Sequence, residues 1–376
     1  MWSRRTKRAV GIPGVVAVAV AVAAVGMLSG TAAAGTTFLG GANTISTVSS
    51  TVPANGDVNP YGVAVIANST GREIAGDVLV SNFNNKSNAQ GTGTTIVEIS
   101  PSGTEQVFAR IGEHGMAAQE CGGVGLTTAL DVLQNGWVVV GSLPTTDGTA
   151  ATATAGCLFV LDSHGHVASV IHDHMINGPW DMTAVEHGTH AALFVTNVLN
   201  GTVAASGDVV NKGTVVRIDL AVSGDHAPHM RGETIIGSGF GEHSDPAALV
   251  VGPTGVALAS NGTLYVADTV DNRIAAIPDA LHRATSALAG NDVTANGALM
   301  GPLGLTIAPN GDILTANAND GNAVETTPGG NQVATKMLDS SGSPAGAGAL
   351  FGLAVAPDMK SLYFVDDATN MLDLLH

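Results

Sequence analysis

A sixteen-residue unit recurs along this chain, and the recurrence restricts the fold more than any other property of the sequence. Its clearest copy reads Pro253-Thr254-Gly255-Val256-Ala257-Leu258-Ala259-Ser260-Asn261-Gly262-Thr263-Leu264-Tyr265-Val266-Ala267-Asp268. An apolar stretch, an Asn-Gly pair, a second apolar stretch and an acid follow in turn. Asn-Gly between two such stretches signals a hairpin, because both residues tolerate the positive φ of a tight turn. The next copy runs from Pro302 to Leu314 with Asn310-Gly311 at its turn. Another has Phe351-Gly352-Leu353-Ala354-Val355 followed by Leu362-Tyr363-Phe364-Val365-Asp366. Three diverged copies precede them: Pro60–Val65 with Asp77–Asn82, Val124–Thr127 with Asn135–Val140, and Pro179–Thr183 with Ala192–Asn197.

Aligned on positions 62, 125, 181, 255, 304 and 352, the copies lie 63, 56, 74, 49 and 48 residues apart. That interval suits one four-stranded antiparallel sheet per copy. The sequence therefore predicts an all-β, six-bladed propeller over residues 35–376. Its closure is also predicted. Only 24 residues follow Gly352, enough for three strands, while Asn43–Val52 has the Ile, Val, Thr and Ser content of an edge strand. This segment is expected to complete the last blade, so that no sheet edge stays open.

Gly255-Val256-Ala257-Leu258, Leu264-Tyr265-Val266-Ala267-Asp268 and Asp271-Asn272-Arg273-Ile274 resemble an NHL repeat. The resemblance extends over essentially all of residues 35–376 and is strongest over 253–366. It implies a propeller and no particular activity, since such propellers host binding, scaffolding and catalysis. Two enzyme groups are similar in pattern. Gluconolactonase-type propellers set a Glu/Asn/Asn/Asp group around a divalent cation at the channel. The Asn and Asp types are present here, but no partner for that glutamate stands out. Streptogramin-lyase-type propellers carry Trp-Phe-Thr-Glu at a strand end where this chain has Val-Ala-Asp, Val-Thr-Asn or Leu-Thr-Ala-Asn.

The first 34 residues read as a signal peptide: four basic residues by Arg8, an Ala/Val/Gly run, then Ala32-Ala33-Ala34, with cleavage expected after Ala34. Their removal leaves 10 Lys and Arg against 31 Asp and Glu, a net charge of −21. Such a surface repels nucleic acid and anionic membranes. It suits a secreted protein whose partner is a small molecule, a glycan or another protein.

Antiparallel order sorts the loops of such a ring. The start of the innermost strand, the end of the second, the start of the third and the end of the fourth share one face, the face over which propellers hold ligands. A carboxamide or acid recurs there at the end of the second strand, at Asn82, Asn197, Asp268, Asn317 and Asp366, with Ser142 as the exception. These residues predict a ring at the channel mouth. Their oxygens suit Ca²⁺ or another divalent cation, hydrogen bonds to a polar ligand, or the capping of their own strand ends. Tyr61 and Trp180 stand beside innermost strands, where they can stack on a ligand or pack between blades. His114, His172, His174 and His243 fall in connections on the same face and form a second candidate group, for a metal or a general base. His164 and His166 fall in a hairpin on the opposite face and read as a polar turn. Cys121 and Cys157 both belong to the ligand face of the second unit. In an exported chain they read as a disulfide, with free thiols as the alternative.

Overall fold

The computed structural model describes residues 37–112, 119–224 and 226–376. Residues 1–34, read above as a signal peptide, and Glu113-His114 lie outside the described residues.

The described residues form six antiparallel blades. Blade 1 is β2 (Val58–Val65), β3 (Val78–Asn84), β4 (Thr95–Ile99) and β5 (Glu105–Arg110). Blade 2 is β6 (Leu126–Val132), β7 (Val138–Ser142), β8 (Cys157–Leu161) and β9 (Val167–Ile171). Blade 3 is β10 (Pro179–His187), β11 (His190–Asn197), β12 (Val210–Ser223) and β13 (His226–Asp245), with a short added strand β14 (Leu249–Val251). Blade 4 is β15 (Pro253–Leu258), β16 (Leu264–Asp268), β17 (Arg273–Ile277) and β18 (Asn291–Ala295). Blade 5 is β19 (Pro302–Ile307), β20 (Ile313–Asn317), β21 (Asn322–Thr326) and β22 (Gln332–Met337). Blade 6 is β23 (Leu350–Val355), β24 (Leu362–Asp366) and β25 (Met371–Leu375), completed by β1 (Ile45–Ser50).

The expected closure is present: β1 pairs antiparallel with β25, from Ile45↔Leu375 to Ser50↔Met371. A short helix before it, Phe38–Gly41, is fastened to blade 5, where the Glu325 carboxylate accepts from the Phe38 and Leu39 amides at 2.8 Å each. Leu39 is wholly buried between blades 5 and 6.

The sheets bury both faces against their neighbours, so middle strands such as β3, β4, β7 and β8 are buried throughout, while the outermost β22 alternates between half-buried and exposed. Apolar clusters fill the gaps between successive blades, for example Ile96, Phe108, Leu126 and Phe159 between blades 1 and 2. The disulfide lies in that cluster. Cys121 and Cys157 are bonded with their Cα atoms 5.4 Å apart, within the usual range for the bond.

Some local expectations need correcting. Gly125 precedes β6 instead of lying in it, because the register shift of that strand takes one more residue than in the other blades (Leu126 to Leu130, against Pro60 to Val63). β12 begins at Val210, and β13 begins at His226 and includes His229. His243 is also in β13, paired with Val251, and not in a free connection. The change at His243 has its source in blade 3. β12 and β13 run for 14 and 20 residues, and that excess length is what spaced the third and fourth repeats so widely.

Candidate functional site

Each innermost strand carries a register shift near its start, at Pro60/Val63, Leu126/Leu130, Pro179/Met182, Pro253/Val256, Pro302/Leu305 and Leu350/Leu353. The residue following the pair before the shift is large in several blades, and those residues meet. Tyr61 of blade 1 lies 4.3 Å from Phe351 of blade 6 and 5.7 Å from Trp180 of blade 3, between ring centroids. Leu303 of blade 5 joins them. Side chains from non-neighbouring blades can touch only at the axis, so this cluster fills the channel. Tyr61 and Trp180 are each 2% exposed.

A hairpin covers the cluster. β13 continues beyond its blade, turns at Pro246-Ala247-Ala248 and returns as β14. The Asp245 carboxylate holds the turn by accepting from the Ala247 and Ala248 amides, at 2.7 and 2.9 Å. Leu249 and Val250 pack on the axial aromatics, and Trp180 Nε1 donates to the Val250 carbonyl at 3.2 Å. The Gln90 carboxamide, from the β3–β4 loop of blade 1, donates to the Pro246 and Ala247 carbonyls at 3.1 Å each. The hairpin thus bridges the mouth from blade 3 to blade 1.

Two clefts flank it. One, of about 350 Å³, has Leu303, Phe351, Val251 and Val270 as apolar lining and His243, Asp245, Thr269 and Asn319 as polar lining. The other, of about 490 Å³, lies among Gln90, Thr149, Ser206, Ser244, Asp245 and Leu249. In the first cleft His243 Nδ1 lies 2.8 Å from the Ser244 carbonyl. A carbonyl only accepts, so Nδ1 carries a proton and donates to it, which leaves Nε2 facing away from that bond. Acids gather around the mouth. Burial, then the neighbouring Asp366, pushes Asp367 up to about 7. Burial likewise pushes Glu242 up to about 7, and its Oε1 has no hydrogen-bond donor. The Tyr61 hydroxyl is buried without a partner, and burial with the charges of Asp367 and Asp245 raises it well above its ordinary value.

The strand-end residues lie deeper. Asn82, Asn197, Asp268, Asn317 and Ser142 are fully buried and Asp366 is 4% exposed. They occupy one position of the repeat, each opposite the residue of its innermost strand that precedes the register shift (Pro60, Pro179, Pro253, Pro302, Leu126 and Leu350). In four blades they secure the incoming connection. Asn82 Nδ2 donates to the Thr51 carbonyl, Asn317 Nδ2 donates to the Ala298 carbonyl, Asn197 Oδ1 accepts from the Asn177 amide, and Ser142 Oγ accepts from the Gly125 amide. Asp268 is paired with the buried Arg273 at 2.8–2.9 Å. Burial still lifts Asp268 to about 6 against that pairing. Asp366 Oδ2 accepts from the Thr369 hydroxyl. Four oxygens of the set have no donor: Asn82 Oδ1, Asp268 Oδ1, Asn317 Oδ1 and Asp366 Oδ1.

The second candidate group is divided. His243 lines the cleft at the mouth, whereas His172 and His174 stand at the outer groove between blades 2 and 3. His164 and His166 lie in a turn whose amides both donate to Asp162 at 2.9 Å. Asp245, Thr269, Asn319 and Asp367 were not singled out from the sequence. The one signal for Asp245 was the 74-residue spacing of the third unit.

Residues 251–277, which span β15, β16 and β17, match the NHL repeat model. No curated protein matches the chain significantly. Several solved structures share the fold. A gluconolactonase from Xanthomonas campestris is 12% identical over 85% of this chain and 86% of that one, with a TM-score of 0.52. The calcium-binding protein regucalcin from Agrobacterium tumefaciens is 14% identical over 88% and 93%, with a TM-score of 0.51. A luciferin-regenerating enzyme is 12% identical over 88% and 94%, with a TM-score of 0.52. By its closed ring of blades and these neighbours, the chain is a six-bladed β-propeller, and it carries an NHL repeat at residues 251–277.

Proposed function

We propose that this is an exported propeller that binds a small molecule at its channel mouth, in the cleft between the β13–β14 hairpin and blades 4 to 6. The observation that carries the reading is the cleft itself. Its volume of about 350 Å³ falls in the range of small-molecule sites, roughly 300–1,000 Å³. An apolar floor with a few polar groups at the wall is the usual make-up of such sites. The His243 Nε2, the Asp245 carboxylate and the Asn319 and Thr269 side chains suit a neutral, hydroxyl-bearing molecule. A narrow concave site favours a small ligand over a protein surface. The signal-like N-terminus, the acidic surface and the disulfide support export.

Thermal melting against a panel of sugars, lactones and other polyhydroxylated compounds tests this. A binder at a hundred times its Kd stabilises the fold by about 2.7 kcal/mol, a rise of several degrees. Asn319→Trp, at an exposed position of the cleft wall, is expected to abolish the rise while leaving the unliganded melting temperature unchanged. A rise that survives both Asn319→Trp and Asp245→Ala places the ligand elsewhere and ends this reading.

One observation favours a second reading, a metal-dependent hydrolase of the gluconolactonase type. Asn82, Asn317 and Asp366 each hold a buried oxygen without a donor at one repeat position, and hard oxygens of this kind suit Ca²⁺. Asp268 is already neutralised by Arg273, so the donor set rests on the other three. Two fold neighbours are named as a gluconolactonase and a calcium-binding protein. Melting in EDTA and then in Ca²⁺ or Mn²⁺ separates the readings. A rise with metal that Asp366→Asn removes supports the hydrolase, and no rise supports the binding protein.

A further inference from the structure

We propose that the outer groove between blades 2 and 3 holds a first-row transition-metal cation of the Zn²⁺ type on Asp173, His174 and Glu233. This site lies at the rim and does not rest on the reading of the channel mouth. Asp173 and His174 belong to the connection that follows β9, and Glu233 lies on β13, so the fold brings together residues 59 positions apart in the chain. One potential ligand atom from each lies within 4.8 Å of the other two.

The local structure positions the donors. The Met175 amide donates to Asp173 Oδ1 at 3.0 Å, and the Ile176 amide to the Asp173 carbonyl at 3.0 Å, which holds the turn carrying Asp173 and His174. His174 Nδ1 is 2.6 Å from Asp173 Oδ1. Two features set the group apart from a solvated acidic patch. The third donor is an imidazole, and Glu233 Oε2 is shut off from solvent with no hydrogen-bond donor. A divalent cation bound here satisfies that oxygen.

The donor set selects the ion. One imidazole and two carboxylates match Zn²⁺ and its first-row neighbours, whereas Ca²⁺ takes six to eight oxygens. Three protein ligands leave a position open, and the adjoining groove of about 180 Å³ is lined by His172 and His229. Two ligands of one such ion stand about 3 Å apart, so the His174 ring must turn slightly away from Asp173. With its side chain 79% exposed, it is free to do so.

The test uses the mature protein stripped with EDTA. Calorimetric titration with Zn²⁺ is expected to show one site per chain at the rim, and Co²⁺ to give a visible absorption band of a nitrogen- and oxygen-ligated ion. His174→Ala and Glu233→Gln are each expected to weaken Zn²⁺ binding by more than tenfold, at unchanged melting temperature in EDTA. Asp366→Asn and His243→Ala, at the channel mouth, are expected to leave it unchanged, so failure of the rim site and failure of either mouth reading are distinguishable. Absence of Zn²⁺ binding by the unaltered protein, or Zn²⁺ binding that persists in both rim variants, overturns the proposal.

Discussion

At the scale of the residue, the glycines of the innermost strands show why the repeat reads as it does. A Cβ on Gly304 would stand 1.9 Å from the Phe351 carbonyl oxygen, one on Gly255 2.2 Å from that of Leu303, and one on Gly352 2.5 Å from that of Tyr61. Each contact is with backbone of the next blade. The glycine is therefore what lets consecutive blades approach at the axis. Gly304→Ala is expected to cost about 3 kcal/mol, as overpacking against backbone does, read as a lower denaturant midpoint. Gly232→Ala, in β13 with nothing within 4 Å of the added carbon, is expected to be within about 0.5 kcal/mol of neutral. The strand-end Asn and Asp residues are a second case. Their recurrence was visible in the sequence. Their hydrogen bonds to the incoming connections were not, because Asn82 finds Thr51 and Asn317 finds Ala298 only once the ring is closed.

At the scale of the element, closure and cover differ in how they could be read. The closing strand was legible because a propeller cannot leave an edge open and the last unit was one strand short. Deleting residues 37–50 is expected to expose β25 as an unpaired edge and to remove Leu39 from the seam between blades 5 and 6. Static light scattering should then show a monodisperse parent and a self-associating variant. A variant that stays monodisperse, with unchanged melting, would show that β1 is dispensable for closure. The β13–β14 hairpin had no such signature. Its residues, from Gly237 to Val251, carry no repeat, and their place over the axis depends on Trp180, Gln90 and the twist of blade 3.

At the scale of the whole molecule, buried carboxyl groups set the response to pH. Burial is the largest cause in each case, lifting Glu73 to about 8, Glu242 and Asp367 to about 7, and Asp131 and Asp268 to about 6. In the unfolded chain such groups titrate near 4. Between that value and their folded values, the native state holds more protons than the unfolded one, so stability falls as pH rises through this window. Self-repulsion of the acidic chain acts in the same direction. Asp162 and Asp358, lowered by their hydrogen bonds, act oppositely, but their window lies below 4. The melting temperature is therefore expected to be highest near pH 5 and to decline steadily to pH 8, measured by calorimetry at constant ionic strength in EDTA. A melting temperature that rises over this interval would contradict the assignment.

Local pattern alone determined the six sheets, their order and their closure. Four of the six inner hairpins are marked by an Asn-Gly or Asp turn (Asn135-Gly136, Asn261-Gly262, Asn310-Gly311 and Asp358) between apolar stretches, and a ring of like units admits little other arrangement. The same pattern marked Cys121 and Cys157 as neighbours. The tertiary structure decided what the mouth of the channel is. Tyr61, Trp180, Leu303 and Phe351 come from four different blades, so nothing in any one repeat shows that they meet and fill the axis. Nor does any repeat show that a hairpin lies across them, or that Asp173 and His174 face Glu233 at the rim. Contacts of that kind depend on distances between units, and the sequence of each unit records only the unit itself.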